Sequence, residues 1–348
     1  METIKVGVVG ATGYAGSEIC RLIAGHPQAE LAAISSVSFE GMALSQVYPA
    51  YSQMIDMVCG TQDQVVEQSD VVFAALPHGL SQDLAAQCDA LGKTFIDMGA
   101  DFRLEDEAAY QEWYGGEYQD KALHEKAVYG LPEFFREKIR GKKIIANPGC
   151  YTTAVPLALV PALEAGLIEQ EGIIADCKSG VTGAGRKPTQ GNHYPELNES
   201  FTAYKVAAHR HTPEIEQTLS KIAGSSMKVT FVPHLLPINR GILATCYARL
   251  KPGVAEGGLP RPVRRGVFRP PAGKGPGGQR EERALQQLLR RVPVCGQQNR
   301  HLHRHLRHRQ HGQGGGGPGH SEHEPELRPG GDRGTDHCPS GLLNRGTT

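Results

Sequence analysis

One stretch near the N-terminus limits the architecture more than any other. Thr3-Ile4-Lys5-Val6-Gly7-Val8-Val9 reads as a buried strand, Gly10-Ala11-Thr12-Gly13-Tyr14-Ala15-Gly16 turns it, and a helix runs from Tyr14 to Ala24 with Ile19, Leu22 and Ile23 on one face. Glycines at such a turn let the backbone fold tightly and approach a pyrophosphate, which then rests on the helix N-terminus. The spacing is GxxGxxG rather than GxGxxG, and a turn of this kind also serves plain packing. Its place between a first strand and a first helix favours a dinucleotide site.

The pattern continues. Leu31–Ile34 is a second strand ending in Ser35-Ser36, Asp70–Leu76 a third running into Pro77-His78-Gly79, and Thr94–Asp97 a fourth running into Met98–Arg103. Strands alternating with helices such as Ser81–Leu91 predict an α/β fold with a doubly wound parallel sheet. An NAD-preferring site usually carries Asp or Glu where Ser35-Ser36 stands. Two hydroxyls can donate to a 2′-phosphate without repelling it, so NADP is favoured, although no arginine lies nearby in the sequence. Arg103, just past a strand's carboxyl end, reads either as a clamp for an anionic substrate group or as half of a surface ion pair.

Cys150 is the strongest candidate for chemistry. Lys142–Ala146 reads as a strand, Asn147-Pro148-Gly149 breaks it, and Thr152–Ala165 reads as a helix. A thiol at a strand-to-helix turn sits near unpaired N–H groups and the positive end of a helix dipole, and both favour the thiolate. Beyond the short strand Gly172–Ala175, the Gly-rich run Asp176–Arg186 reads as a loop that either covers a cofactor or is simply mobile. In Ala208-His209-Arg210-His211-Thr212-Pro213-Glu214-Ile215, Thr212 is a plausible N-cap with Pro213 at the first helical position, so His211 stands just before a helix. An imidazole there can act as general acid/base beside a thiolate. His209 and His211 lack a third ligand at useful spacing, so no metal is expected, and plain surface histidines are the competing reading. Lys228–Val232 and Gly241–Arg249 are apolar strands flanking Pro233–Arg240.

Composition divides the chain. Residues 1–250 carry 20 Lys and Arg against 29 Asp and Glu, whereas residues 251–348 carry 17 against 8. The latter segment has no Ile, Tyr or Trp and one Phe, with Gly, Pro, Arg and His dominant, which is too little to bury a core. The chain is long enough for about two domains. It has no apolar run of membrane-spanning length and no signal peptide, and its eight cysteines show no CxxC or metal spacing, so a reduced, cytoplasmic setting is expected with no membrane partner.

Taken together, the motifs resemble the N-acetyl-gamma-glutamyl-phosphate reductase family, the arginine-pathway branch of the aspartate-semialdehyde dehydrogenase superfamily. The resemblance runs over residues 1 to about 254 through GATGYAG (10–16), ALPHGLS (75–81), DFRL (101–104), YGLPE (129–133), NPGCYTT (147–153), KSGVTGAGR (178–186), HRHTPEI (209–215) and FVPHLLPINRGILAT (231–245). It implies NADPH-dependent reduction of an acyl phosphate to an aldehyde through a thioester on Cys150, with His211 moving the protons and His209 competing for that role. It assigns Arg103, Arg186 and Arg210 to the substrate's carboxylate and phosphate. Gly10, Thr12, Gly13, Tyr14, Ala15, Gly16, Ser35, Ser36, Pro77, Ser179 and Gly180 would line the NADP site. The resembled architecture is an NADP-binding domain (1–149) followed by an α+β substrate and dimerisation domain (150–254), incomplete here, in an enzyme that acts on a small molecule as a homo-oligomer. A related acyl-phosphate substrate, such as the carrier-linked aminoadipate derivative of lysine synthesis, is the alternative.

After about residue 254 family members return to the nucleotide domain through a motif like AIDNMVKGAAGQAIQNMN, which this chain lacks. Arg307–Gly314, however, back-translates as CGC CAT CGA CAA CAT GGT CAA GGN, and dropping one base yields A-I-D-N-M-V-K. The same shift turns Gly319–Pro325 into A-I-Q-N-M-N. Residues 255–348 therefore read as the family's C-terminal segment translated out of frame, expected to be disordered and unable to complete the fold. A basic nucleic-acid-binding tail is the rejected alternative, since no Lys/aromatic interleaving supports it. An inactive or merely nucleotide-binding product stays open.

Overall fold

The computed structural model describes residues 3–254, so the readings made on 255–348 lie outside the described residues. Seven strands build a first sheet: β1 (Ile4–Val9), β2 (Ala29–Ser35), β3 (Cys59–Gly60), β4 (Val71–Ala74), β5 (Thr94–Asp97), β6 (Val128–Tyr129) and β7 (Ile144–Ala146). Their order is β3-β2-β1-β4-β5-β7-β6, and every pairing is parallel. The chain winds outward in both directions from β1 and β4, so the carboxyl ends of those two strands form the switch point where open α/β sheets bind ligands. Parallel strands must be covered on both faces. Accordingly β4, β5 and β7 are buried along their whole length, with one apolar cluster around Val8, Ile19, Ile23 and Phe73 and another around Val72, Leu84, Phe95 and Ile144.

The helix Tyr14–Ala24 leaves β1 through the glycine turn, with Ile19, Cys20 and Ile23 buried. Gly10 has φ of +83°, and a Cβ there would stand 2.5 Å from the Ala75 carbonyl oxygen at the end of β4. A Cβ on Gly16 would collide with the Gly10 carbonyl oxygen. Only glycine lets the turn and its helix come this close to the sheet.

A second sheet contains β8 (Ile173–Gly180), β9 (Thr202–Ala203), β10 (Val229–Leu236) and β11 (Ile242–Tyr247), in the order β11-β8-β10-β9. β8 and β10 run parallel, and β9 and β11 are antiparallel to their neighbours. The helices Cys150–Glu164 and His211–Ala223 share one core with its inner face, where Tyr151, Val155, Leu159, Ile215 and Leu219 meet Ala175, Cys177, Phe231 and Ile242.

Four local readings are corrected. Asp176–Gly180 is strand rather than loop: Ala175, Cys177 and Ser179 point into the core, and the irregular segment begins only at the 3-10 turn Val181–Ala184. Pro233–Leu236 likewise continues β10, with Tyr204 N–H donating to the Pro233 carbonyl. The helix expected from Thr152 begins at Cys150 itself, with Gly149 at the N-cap. His211 is the first residue of its helix, and Arg210 rather than Thr212 holds the N-cap position. Among the described residues no helix is long and apolar enough to cross a membrane.

Candidate active site

The site forms where β7 hands the chain to the second domain. Asn147 N–H donates to the Asp97 carbonyl (2.8 Å), which extends the β5–β7 pairing to the edge of the turn. Gly149 then adopts an extended conformation (φ −66°, ψ 164°), and the Cys150 helix starts with no side-chain cap among the described residues. Its first N–H groups are thus left to other partners, and the positive end of the helix lies at the cysteine.

A buried carboxylate takes the N–H of the N-cap residue itself. Glu214, one turn into the His211 helix, accepts the Gly149 N–H at 3.1 Å and the Tyr129 hydroxyl at 2.8 Å through Oε1, which also lies 2.7 Å from Thr152 Oγ1. Its Oε2 faces Arg103 Nη1 at 3.5 Å, while Arg103 Nη2 donates to the Met98 carbonyl at 2.7 Å. Glu214 is fully buried and Arg103 nearly so. The pair therefore links a loop of the first domain to a helix of the second, with the cysteine turn between them. Burial pushes the Tyr129 hydroxyl well up, with the Glu214 charge adding to it, so that Tyr129 stays a donor.

His211 stands against the same turn. A Cβ built on Gly149 would lie 2.5 Å from His211 Nε2 and 2.8 Å from Arg103 Nη1. Burial, with Arg103 and Arg210 adding to it, pushes the His211 imidazole down to about 3, so it is neutral near pH 7. His209 is also pushed down to about 3, by burial first and then by His211, Lys205 and Arg210. Its role differs, however. His209 Nδ1 accepts the His211 backbone N–H at 3.0 Å, and its ring packs edge-on to Tyr151, Tyr204 and Phe231 with centroids 5.2–5.7 Å away.

The three arginines separate into two places. Arg103 and Arg210 both bear electrostatically on His211. Arg210 Nη1 lies 2.9 Å from His78 Nε2, and its guanidinium sits over the Tyr114 ring at 5.2 Å. Asp101 holds the His78 loop by accepting the Gly79 and Ser81 N–H groups. Arg186 is elsewhere: its Nη1 donates to the Thr12 carbonyl at 3.1 Å, beside the glycine turn of the first domain.

At that turn Gly10 and Ala11 N–H donate to the Ser35 carbonyl, and Thr12 Oγ1 meets Ser36 Oγ at 2.6 Å, with both serines buried. Tyr14 and Ala15 are exposed at the helix start, and Pro77 is exposed on the neighbouring loop. A Cβ on Gly13 would meet nothing closer than 3.5 Å, and the helix following it carries no side-chain cap. An open backbone at an uncapped helix start fits a pyrophosphate. Ser179 and Gly180 lie at the end of β8, where a Cβ on Gly180 would stand 2.7 Å from the Arg240 backbone nitrogen.

Sequence reasoning did not single out Glu214, Tyr129 or Thr152. Their partners are 62–85 residues away along the chain, and no local spacing announces such contacts. Among the described residues no group of three or more His, Cys, Asp or Glu is arranged to hold a metal ion.

A parallel-sheet domain that delivers a cysteine turn to a mixed-sheet second domain is here the architecture of a chain that matches the semialdehyde dehydrogenase class. Residues 5–142 match the family Semialdehyde dehydrogenase, NAD binding domain, and residues 150–262 match Semialdehyde dehydrogenase, dimerisation domain. A Clostridium botulinum protein named N-acetyl-gamma-glutamyl-phosphate reductase is 52% identical over 248 residues, covering 71% of this chain and 72% of that protein. A protein of the same name from Symbiobacterium thermophilum is 52% identical over 251 residues, 72% of each chain. The chain belongs to the N-acetyl-gamma-glutamyl-phosphate reductase family. Its fold is also that of aspartate semialdehyde dehydrogenase with NADP from Candida albicans (TM-score 0.53, 19% identity, 73% of each chain). The Vibrio cholerae aspartate semialdehyde dehydrogenase II is similar in the same way (TM-score 0.55, 18% identity, 72% of this chain and 76% of that one).

Proposed function

We propose that the chain is built to reduce N-acetyl-L-glutamyl 5-phosphate to N-acetyl-L-glutamate 5-semialdehyde, releasing phosphate, as a cytoplasmic enzyme of arginine biosynthesis. The observation that carries the reading is the position of a neutral His211, with Nε2 against the residue that precedes Cys150. The imidazole lone pair can take the thiol proton once the substrate's anionic groups offset the Arg103 and Arg210 charges, which add to burial in holding the ring neutral, and the positive end of the helix favours the resulting thiolate.

The Cys150 sulfur attacks the acyl carbonyl, the bond to the phosphate oxygen breaks, and a thioester remains on Cys150. When bound at the glycine turn, reduced dinucleotide supplies the hydride that brings this thioester to the aldehyde level. His211, carrying the proton it accepted, returns it as the thiohemiacetal collapses and the thiol is restored. His209 acts as a positioning residue, because its Nδ1 is already committed to the His211 backbone. Arg103 and Arg210, the two arginines whose charges reach His211, meet the substrate's anionic groups.

Gly10 to Gly16 hold the dinucleotide, and the buried hydroxyls of Ser35 and Ser36, where an acidic residue would repel a 2′-phosphate, favour NADP. A homo-oligomer is the working form. The dimerisation-domain match supports this, as does the outer sheet face on which Ile174, Leu243 and Tyr247 are exposed.

A second reading, a nucleotide-binding product without turnover, is favoured by one observation: the matches stop at about 72% of the relatives' length, and the composition of this chain changes after about residue 254. One assay decides. Phosphate-dependent reduction of NADP with N-acetylglutamate semialdehyde is measured on this chain and on one whose codons after about 254 are restored to the family's frame. Turnover only in the restored chain supports the second reading for this one. Turnover in neither removes the reductase assignment. Sequencing the coding DNA around codons 250–260 for a lost or gained base tests the frame directly.

A further inference from the structure

We propose that Arg186 reads the 2′-phosphate of the dinucleotide, which makes it a specificity-determining residue of the cofactor pocket and not a substrate ligand. The inference rests on the reading above that the glycine turn takes an NADP-type dinucleotide.

The argument starts with how Arg186 reaches the first domain at all. The 3-10 turn Val181–Ala184 is tied down at its base: Val181 N–H donates to the Ile238 carbonyl, and Thr182 N–H and Oγ1 both reach the Asn239 carbonyl. Gly185 then takes a positive φ of +87°, a conformation that L side chains rarely adopt, and turns the chain. Arg186 follows directly, and its guanidinium lies over the rings of Tyr48 (4.9 Å) and Phe39 (5.1 Å). A planar guanidinium stacked on aromatic faces is held in orientation with little further entropy cost on binding.

The second element is convergence on Thr12. Its carbonyl accepts both Arg186 Nη1 (3.1 Å) and the Tyr48 hydroxyl (2.8 Å), while its Oγ1 meets Ser36 Oγ at 2.6 Å. Arg186 and the Ser36 hydroxyl thus both contact Thr12, at the carboxyl end of β2, where the adenosine ribose of a dinucleotide on such a turn lies. The contact with Thr12 uses one of the five guanidinium N–H donors. Phosphate oxygens are recognised by several such donors at once.

The third element is what Arg186 does not touch. The charges that lower His211 come from Arg103 and Arg210. Arg186 contacts Thr12, Phe39 and Tyr48, all residues of the nucleotide-binding half. The positive charge missing from the sequence around Ser35-Ser36 is supplied from about 150 residues downstream.

The test is a binding measurement on the full 348-residue chain. NADPH and NADH are titrated by nicotinamide fluorescence against the unmodified chain, Arg186→Gln and Arg186→Lys. The adenosine fragments 2′,5′-ADP and 5′-AMP serve as competitors. The expected result is that Arg186→Gln weakens NADPH and 2′,5′-ADP by about tenfold or more, as loss of a charge-assisted contact does, and leaves NADH within about twofold. Arg186→Lys recovers part of the loss, and the salt sensitivity of NADPH binding falls in the Gln variant. An equal loss for both dinucleotides would make Arg186 a tether between domains and overturn the proposal. An unmodified chain that prefers NADPH, with the preference intact in Arg186→Gln, also overturns it while leaving the serine reading standing. Equal binding of both dinucleotides by the unmodified chain removes the NADP reading and this inference together.

Discussion

His211 Nε2 fills the space that a side chain at Gly149 would need, only 2.5 Å from where its Cβ would be. Gly149 has an ordinary extended backbone that any residue can adopt, so the requirement for glycine here is one of room, not of conformation. Gly149→Ala should fold, at a cost of about 1–3 kcal/mol for the forced shift of the imidazole and of Arg103. It should lose most turnover in a frame-restored enzyme. Urea denaturation combined with steady-state kinetics checks this, and near-normal kcat would show that His211 is not held against the nucleophile's turn for catalysis.

In a frame-restored enzyme Cys150→Ser should abolish turnover and leave NADP(H) binding within a few-fold, because a serine hydroxyl is far less ionised than a thiol near neutral pH. Nicotinamide fluorescence reads binding, and absence of a phosphate-dependent rate reads the chemistry. Retained activity would move the nucleophile elsewhere.

Glu214→Gln should be among the most damaging single changes. It removes the charge that faces Arg103 and leaves a buried guanidinium without its carboxylate, a situation that costs about 3–5 kcal/mol. It also weakens the acceptor for the Gly149 N–H. A double-mutant cycle with Arg103→Met is the measurement: the double variant should recover a substantial share of the loss in denaturant midpoint. Simple additivity would mean that the two groups are not coupled.

Acid should destabilise the fold, and the sign follows from four groups. His209 and His211 are pushed down to about 3 and His124 to about 4, from an ordinary 6.5, in each case mainly by burial. Below pH 6.5 the unfolded chain binds protons at these rings while the folded one does not, so their contribution is whole above 6.5 and shrinks as pH falls toward 4. Asp97 opposes them. Burial, with Asp101 adding, pushes it up to about 6 from 3.8, so between those values the folded chain holds a proton that the unfolded chain releases. Three groups outweigh one, and the urea midpoint should drop steadily between pH 6.5 and pH 4.5. A flat or rising midpoint would contradict the neutral state assigned to these histidines, and His209→Asn should flatten part of the slope.

Much of the first domain is legible in the residues because its signals are local. The helix Tyr14–Ala24 has glycines at its entry and Ile19 and Ile23 on one face, and both cues lie within a dozen residues. Asp176–Gly180 is harder: polar and glycine-rich residues suggest a loop, yet a period of two runs through Ile173, Ala175, Cys177 and Ser179, all buried. That alternation is the signal that outranks composition. The site divides in the same way. Cys150 and His211 announce themselves through turn and helix-start patterns. Glu214 does not, since a carboxylate on a helix is ordinarily a solvated one until a fold brings Tyr129, Gly149 and Arg103 around it. Arg186 has a motif but no local cue to its neighbour, because Thr12 is 174 residues away.

The Arg103–Glu214 contact also has a history in time. The two residues are 111 positions apart, and at ribosomal rates of about 5–20 residues per second a gap of that size lasts on the order of ten seconds. Throughout that interval the nascent nucleotide-binding half carries this guanidinium without Glu214, with Asp97 as the carboxylate nearer along the chain to balance it. Arg103 therefore reaches its Glu214 partner only once the His211 helix is made. The clamp on the cysteine turn is consequently completed late in synthesis, well after the glycine turn of the first domain has been made.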